Sequence, residues 1–98
     1  MIVNIIKTYR DVVAICDSEL LGKRFEEGKF QLDVKESFFK GDETDEEKAI
    51  EIMKDMAKED ATFNIVGEQA VNAALKAGII KQEGVGKIAN IPFALILL

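Results

Sequence analysis

Cys16, Ser18 and Ser37 are the side chains whose type allows nucleophilic attack, and each would need a neighbouring base to activate it. The usual base is missing, because the chain contains no histidine. That absence also removes the commonest metal ligand. A single cysteine is too few for a structural zinc site or an intramolecular disulfide. Cys16 continues an apolar run, so a buried, inert thiol is expected there. What remains is carboxylate chemistry. Asp17, Glu19 and Glu68 could act as acids or bases in a small-ligand site, with magnesium as a suitable ion, if the fold brings them together.

Two further motifs fail on spacing. The acidic run Asp42, Glu43, Asp45, Glu46, Glu47 lacks the alternate spacing and central glycine of a calcium loop. Gly84-Val85-Gly86-Lys87 resembles the end of a phosphate-binding loop, but Lys81 stands where the first glycine belongs and Ile88 follows the lysine. No catalytic residue, metal ligand or cofactor is therefore assigned.

The elements that must position these groups are short. Ile2–Lys7 and Val12–Cys16 are rich in β-branched residues and are separated by Thr8-Tyr9-Arg10-Asp11, which predicts a hairpin. Val12 to Ile15 scarcely alternate, so the second strand should be central and covered on both faces. Asp17 to Gly22 predicts one helical turn, capped by Asp17 and ended by a left-handed Gly22. A second hairpin follows around Glu26-Glu27-Gly28, with Phe30, Leu32 and Val34 alternating toward the core.

Thr44 with Glu47 fits a capping box, and Ala49, Ile52, Met53 and Met56 then recur at helical spacing. A second helix is predicted from about Thr62 to Ala77, ended by Gly78; Ala70, Ala73, Ala74 and Ala77 give it a thin face suited to close packing or to self-association. A short strand over Val85–Ala89 and a buried interior strand over Phe93–Leu98 complete the chain. The expected architecture is α+β: one globular domain, 1–98, with a small, mostly antiparallel sheet of about four to six strands and two main helices packed on it.

Composition supports this and narrows the partners. Apolar residues make up 48% and charged residues 32% of the 98, as in a globular domain. A lone thiol, no basic leader and no apolar run long enough to span a bilayer predict a cytoplasmic location. The net charge of -5 disfavours direct nucleic-acid binding. Its distribution softens that inference, since residues 41–60 carry nine acids against three bases while the flanking segments are nearly balanced. Lys7, Arg10, Lys23, Arg24 and Lys29 could still form a local basic patch.

The stretch from Cys16 to Gly28, with Leu32-Asp33-Val34 and Phe38-Phe39-Lys40-Gly41, resembles an archaeal family known as domain of unknown function 424. Asn64-Ile65-Val66-Gly67-Glu68-Gln69-Ala70-Val71 and Gly78-Ile79-Ile80 are similar to a second recurring block of that family. The resemblance implies an archaeal cytoplasmic protein and no particular activity. It also marks a departure, because Pro92 is followed by Phe93 where relatives often place a histidine.

These observations favour a non-catalytic interaction module docking to a protein or ribonucleoprotein, in archaeal translation or RNA handling, over an enzyme. Asp17, Glu19, Gly22, Lys23 and Arg24 in one loop, with Asn64, Gly67 and Glu68 at the predicted start of the second helix, are the candidate partner-binding residues. If the two segments adjoin, free N–H groups of that helix beside Lys23 and Arg24 could receive a carboxylate or other anion. The alternative is the carboxylate site at Asp17, Glu19 and Glu68. A homodimer through the small-residue helix is compatible with either.

Overall fold

The computed structural model describes residues 1–97. Its frame is a six-stranded sheet in the order β5-β1-β2-β6-β8-β7. The strands are β1 (Ile2–Ile6), β2 (Val12–Cys16), β5 (Asp42–Glu43), β6 (Thr62–Val66), β7 (Gly86–Ile88) and β8 (Ile91–Ile96). β1 and β2 form the expected hairpin, and β2 is central, with Val13 to Cys16 fully buried. Its second neighbour is β6, which runs parallel to it. The sheet is otherwise antiparallel, with β8 lying between β6 and β7.

β6 corrects the sequence reading. Thr62–Val66 was expected to open a helix, yet Thr-Phe-Asn-Ile-Val is a β-branched and aromatic run that fits a pleated surface better than a helix. Gly67, at φ 109, ψ 158, separates the strand from the helix α3 (Glu68–Ala77). Asn64 is consequently a mid-strand residue and not part of a helix start.

Helix α2 (Glu46–Lys58) begins one residue later than the Thr44 capping box suggests. The Asp45 carboxylate accepts from the Lys48 N–H at 2.8 Å, whereas the Thr44 hydroxyl turns back to the carbonyl of Asp42. α2 and α3 cover one face of the sheet. Ala49 and Met53 of α2 and Ala70, Val71, Ala73 and Ala74 of α3 pack on Val3, Val13, Ile15, Phe63, Ile65 and Ala94. The thin alanine face of α3 is thus spent inside the chain, and Gly78 ends the helix in the left-handed conformation at φ 76.

A second, smaller core lies on the other face. It is closed by the 3-10 turn Ser18–Leu20, the hairpin β3 (Arg24–Glu27) with β4 (Phe30–Asp33), and the single-turn helix α1 (Glu36–Phe39). Leu20, Val34 and Phe39 pack there on Ile2, Ala14, Cys16 and Val66, with Phe25, Leu32 and Phe93 at the margin. The expected inward set holds for Val34, just past the end of β4, and for half-buried Leu32. It fails for Phe30, 67% exposed beside the hairpin turn.

β8 matches the expected interior strand in position but not in burial. Ala94 is buried, while Leu95 is 55% and Leu97 74% exposed; Leu98, the end of the predicted strand, lies outside the described residues. Among the described residues, no helix is long and apolar enough to cross a membrane.

Candidate functional site

β2 and β6 run side by side, so their C-terminal ends deliver Asp17 and Gly67 to the same place. The two sequence segments singled out above therefore adjoin. The Asp17 N–H bonds to the Val66 carbonyl at 3.1 Å, which fixes the residue at the mouth of α3. Its carboxylate then accepts from the N–H of Ala70 at 2.8 Å and of Gln69 at 3.1 Å. Asp17 is the cap of α3 and makes no side-chain cap bond to its own 3-10 turn.

This corrects the anion-site expectation. The N–H groups at the start of α3 are occupied by a carboxylate of the same chain, placed where an external anion would sit. Asp17 is only 3% exposed, and burial raises its carboxyl above the ordinary range while the Ala70 and Gln69 N–H groups pull it back. Gly67 is required by the contact. A Cβ there would stand 2.4 Å from the Asp17 carboxyl carbon, and φ 109 is a conformation that L side chains rarely adopt. Asp17 and Gly67 are thereby explained as structure.

The other candidates are dispersed. Glu19, Lys23, Arg24 and Glu68 are exposed. Arg24 is engaged within its own hairpin, donating to the Gln31 side-chain oxygen at 2.6 Å with Glu26 3.9 Å away. Gly22 takes φ 82 in the turn that leads into β3, where its N–H bonds to the Val34 carbonyl at 2.7 Å. The basic patch does not form as one surface. Lys7 and Arg10 lie at the β1–β2 turn, where Lys7 pairs with Asp11 at 3.3 Å, and Lys23 and Arg24 follow the opposite end of β2.

Nor do the three carboxylates form a site. Both Asp17 oxygens are taken by the cap, and no group of three potential ligands is placed to hold a metal ion among the described residues. Four shallow clefts, from about 260 to about 390 Å³, are lined by none of Asp17, Glu19 and Glu68. Cys16 is fully buried. Burial and the adjacent Asp17 charge push its thiol up to about 11.

The feature that sequence reasoning missed is on the sheet. On the face opposite α2 and α3, three rows cross the strands in register. Ile2, Cys16, Val66 and Phe93 form the row under the smaller core. Asn4, Ala14, Asn64 and Leu95 form the next, where the Asn4 amide donates to the Phe38 carbonyl at 2.8 Å and marks the edge of the cover. Ile6, Val12 and Thr62 form the third, and exposed Leu97 follows the end of β8 beside it. Ile6, Val12, Leu95 and Leu97 belong to neither core. This half of the face carries no charged side chain and is apolar apart from Asn4, Asn64 and Thr62. A sequence signal existed: Phe93 to Leu97 is apolar at every position, which requires either cover on both faces or an exposed apolar one.

A family model described as "Protein of unknown function (DUF424)" matches residues 6–98. A crystal structure of an uncharacterised conserved protein from Methanopyrus kandleri, an archaeon, shares the fold with a TM-score of 0.87 at 24% identity, over 97% of this chain and 88% of that one. No curated protein matches the chain.

Proposed function

The chain belongs to the DUF424 family, and from that premise we propose that it is a non-catalytic interaction module that seats a protein partner on the open half of its sheet. The observation that carries this is the charge-free surface formed by exposed Leu95 and Leu97 with half-buried Ile6 and Val12 beside Asn64. Uncovered apolar side chains grouped on one face, here on either side of Thr62 and Asn64, are characteristic of docking sites. The absence of cations and aromatic rings on this half of the face favours a protein over nucleic acid, whose phosphates call for Lys and Arg and whose bases stack on rings. Asn64, retained from the sequence-derived set, supplies the directional hydrogen bonds that an apolar patch lacks.

The test is affinity capture from archaeal lysate with and without nuclease, using wild type, Ile6→Glu with Asn64→Lys, and Lys23→Glu with Arg24→Glu. The expected result is one defined protein that survives nuclease, is lost with the sheet variant and is kept by the loop variant. A partner released by nuclease would make the target a ribonucleoprotein. A partner lost only with the loop variant, or bound equally by all three, would overturn the sheet assignment.

A further inference from the structure

Strand β8 is paired along its length on one side only. Toward β6, the Gly67 N–H bonds to the Pro92 carbonyl at 2.8 Å, and the register continues through Ile65–Ala94 and Phe63–Ile96. Antiparallel alternation then turns the main-chain groups of Ile91, Phe93 and Leu95 to the outer side. β7 meets the first two, through Ile88–Ile91 and Gly86–Phe93. Before Gly86 the chain leaves the sheet by the 3-10 turn Gln82–Gly84, and Val85 packs into the helix-side core. The N–H and C=O of Leu95 therefore face an empty strand position.

Exposed strand edges are ordinarily blunted by a charge, a proline or a bulge. Phe93 to Leu97 has no charged residue and no proline. The edge of β1 differs, because β5 covers Ile2 and Val3 and Lys7 follows the strand. We propose that the outer edge of β8 pairs antiparallel with the same edge of a second copy of this chain, about a twofold axis at Ile96.

That register sets Leu95 opposite Leu97 of the second copy and uses none of the groups already bonded to β7. An axis at Leu95 would instead require Phe93, which is taken by Gly86. A twofold contact also closes on itself, where pairing of β8 with a β1 edge would propagate. Charge permits the contact: the strand carries none, and the acidic excess lies within residues 41–60, mostly in the segments flanking α2. The pairing joins two six-stranded sheets into one and is independent of the docking reading, although Leu95 borders both surfaces.

Sedimentation velocity on the full chain, up to millimolar concentration, tests it. Wild type is expected to sediment as a dimer. Leu95→Pro, which removes an N–H unused within the chain, and Leu95→Lys are both expected to give folded monomers with native circular dichroism. Ile6→Glu with Asn64→Lys, which should abolish partner capture, is expected to remain dimeric, so failure of one proposal is distinguishable from failure of the other. In wild type the Leu95 amide should exchange slowly with solvent at dimer-forming concentration and rapidly on dilution. A wild type that stays monomeric throughout, or a dimer unaffected by both Leu95 substitutions, overturns the proposal.

Discussion

The Asp17 carboxylate reaches from the end of β2 to the Ala70 N–H in the first turn of α3, at 2.8 Å across 53 positions of sequence. Replacing Asp17 with Ala leaves the Gln69 and Ala70 N–H groups without an acceptor in a nearly dry site. The expected loss is about 1–3 kcal/mol. Asp17→Asn should lose less, because it keeps one acceptor and no longer buries a charge. Urea denaturation of the three proteins measures both differences.

Gly67→Ala is expected to cost at least about 2 kcal/mol, since the new Cβ meets the Asp17 carboxyl at 2.4 Å and the backbone is held at φ 109. The two causes separate in a double-mutant cycle. In an Asp17→Ala background the steric part disappears and the backbone part remains, so the Gly67→Ala penalty should shrink without vanishing.

The Cys16 thiol has its folded-state value raised from 9.0 to about 11. A raised value means that the unfolded chain ionises first. The associated stability is present below pH 9.0 and is lost as pH rises toward about 11. Wild type should therefore lose stability more steeply than Cys16→Ala across that interval, as followed by chemical denaturation at successive pH values. At neutral pH the thiol should react with a disulfide reagent only at the rate of global opening.

The β7–β8 turn places Ala89 at φ 51 and Asn90 at φ 66, a type I′ hairpin turn in which the first position suits Asn or Gly and strains Ala. Ala89→Asn is expected to raise stability by about 0.5–1 kcal/mol, without change in the β7–β8 register. A thermal melt, with amide chemical shifts of Ile88 and Ile91, checks both.

The elements with strong local signals were legible in the sequence. The β-branched runs of β1 and β2, the apolar stripe of α2 and the Gly78 stop all stand where the residues place them. Thr62–Val66 was misread because Ala70 and Val71 continue its apolar spacing past Gly67, although its β-branched and aromatic composition already favours a strand. Correcting that one reading moves Asn64 from a helix start to the open sheet face. Asp17 was expected to cap its own turn, yet its carboxylate serves α3 instead, reaching Ala70 53 positions away, a relationship that only the parallel β2–β6 pairing creates. The exposure of Leu95 and Leu97 was hidden for a similar reason, because the composition of a strand does not say how far the opposite layer extends over it.

The same parallel pairing has a kinetic consequence. Val12 pairs with Thr62, fifty positions on, so the centre of the sheet cannot form until the intervening chain has closed a loop. The β1–β2 and β7–β8 hairpins can assemble locally beforehand, each with apolar edges unsatisfied. Refolding is therefore expected to be limited by the docking of two preformed halves along β2 and β6, and the waiting halves are the species most exposed to aggregation.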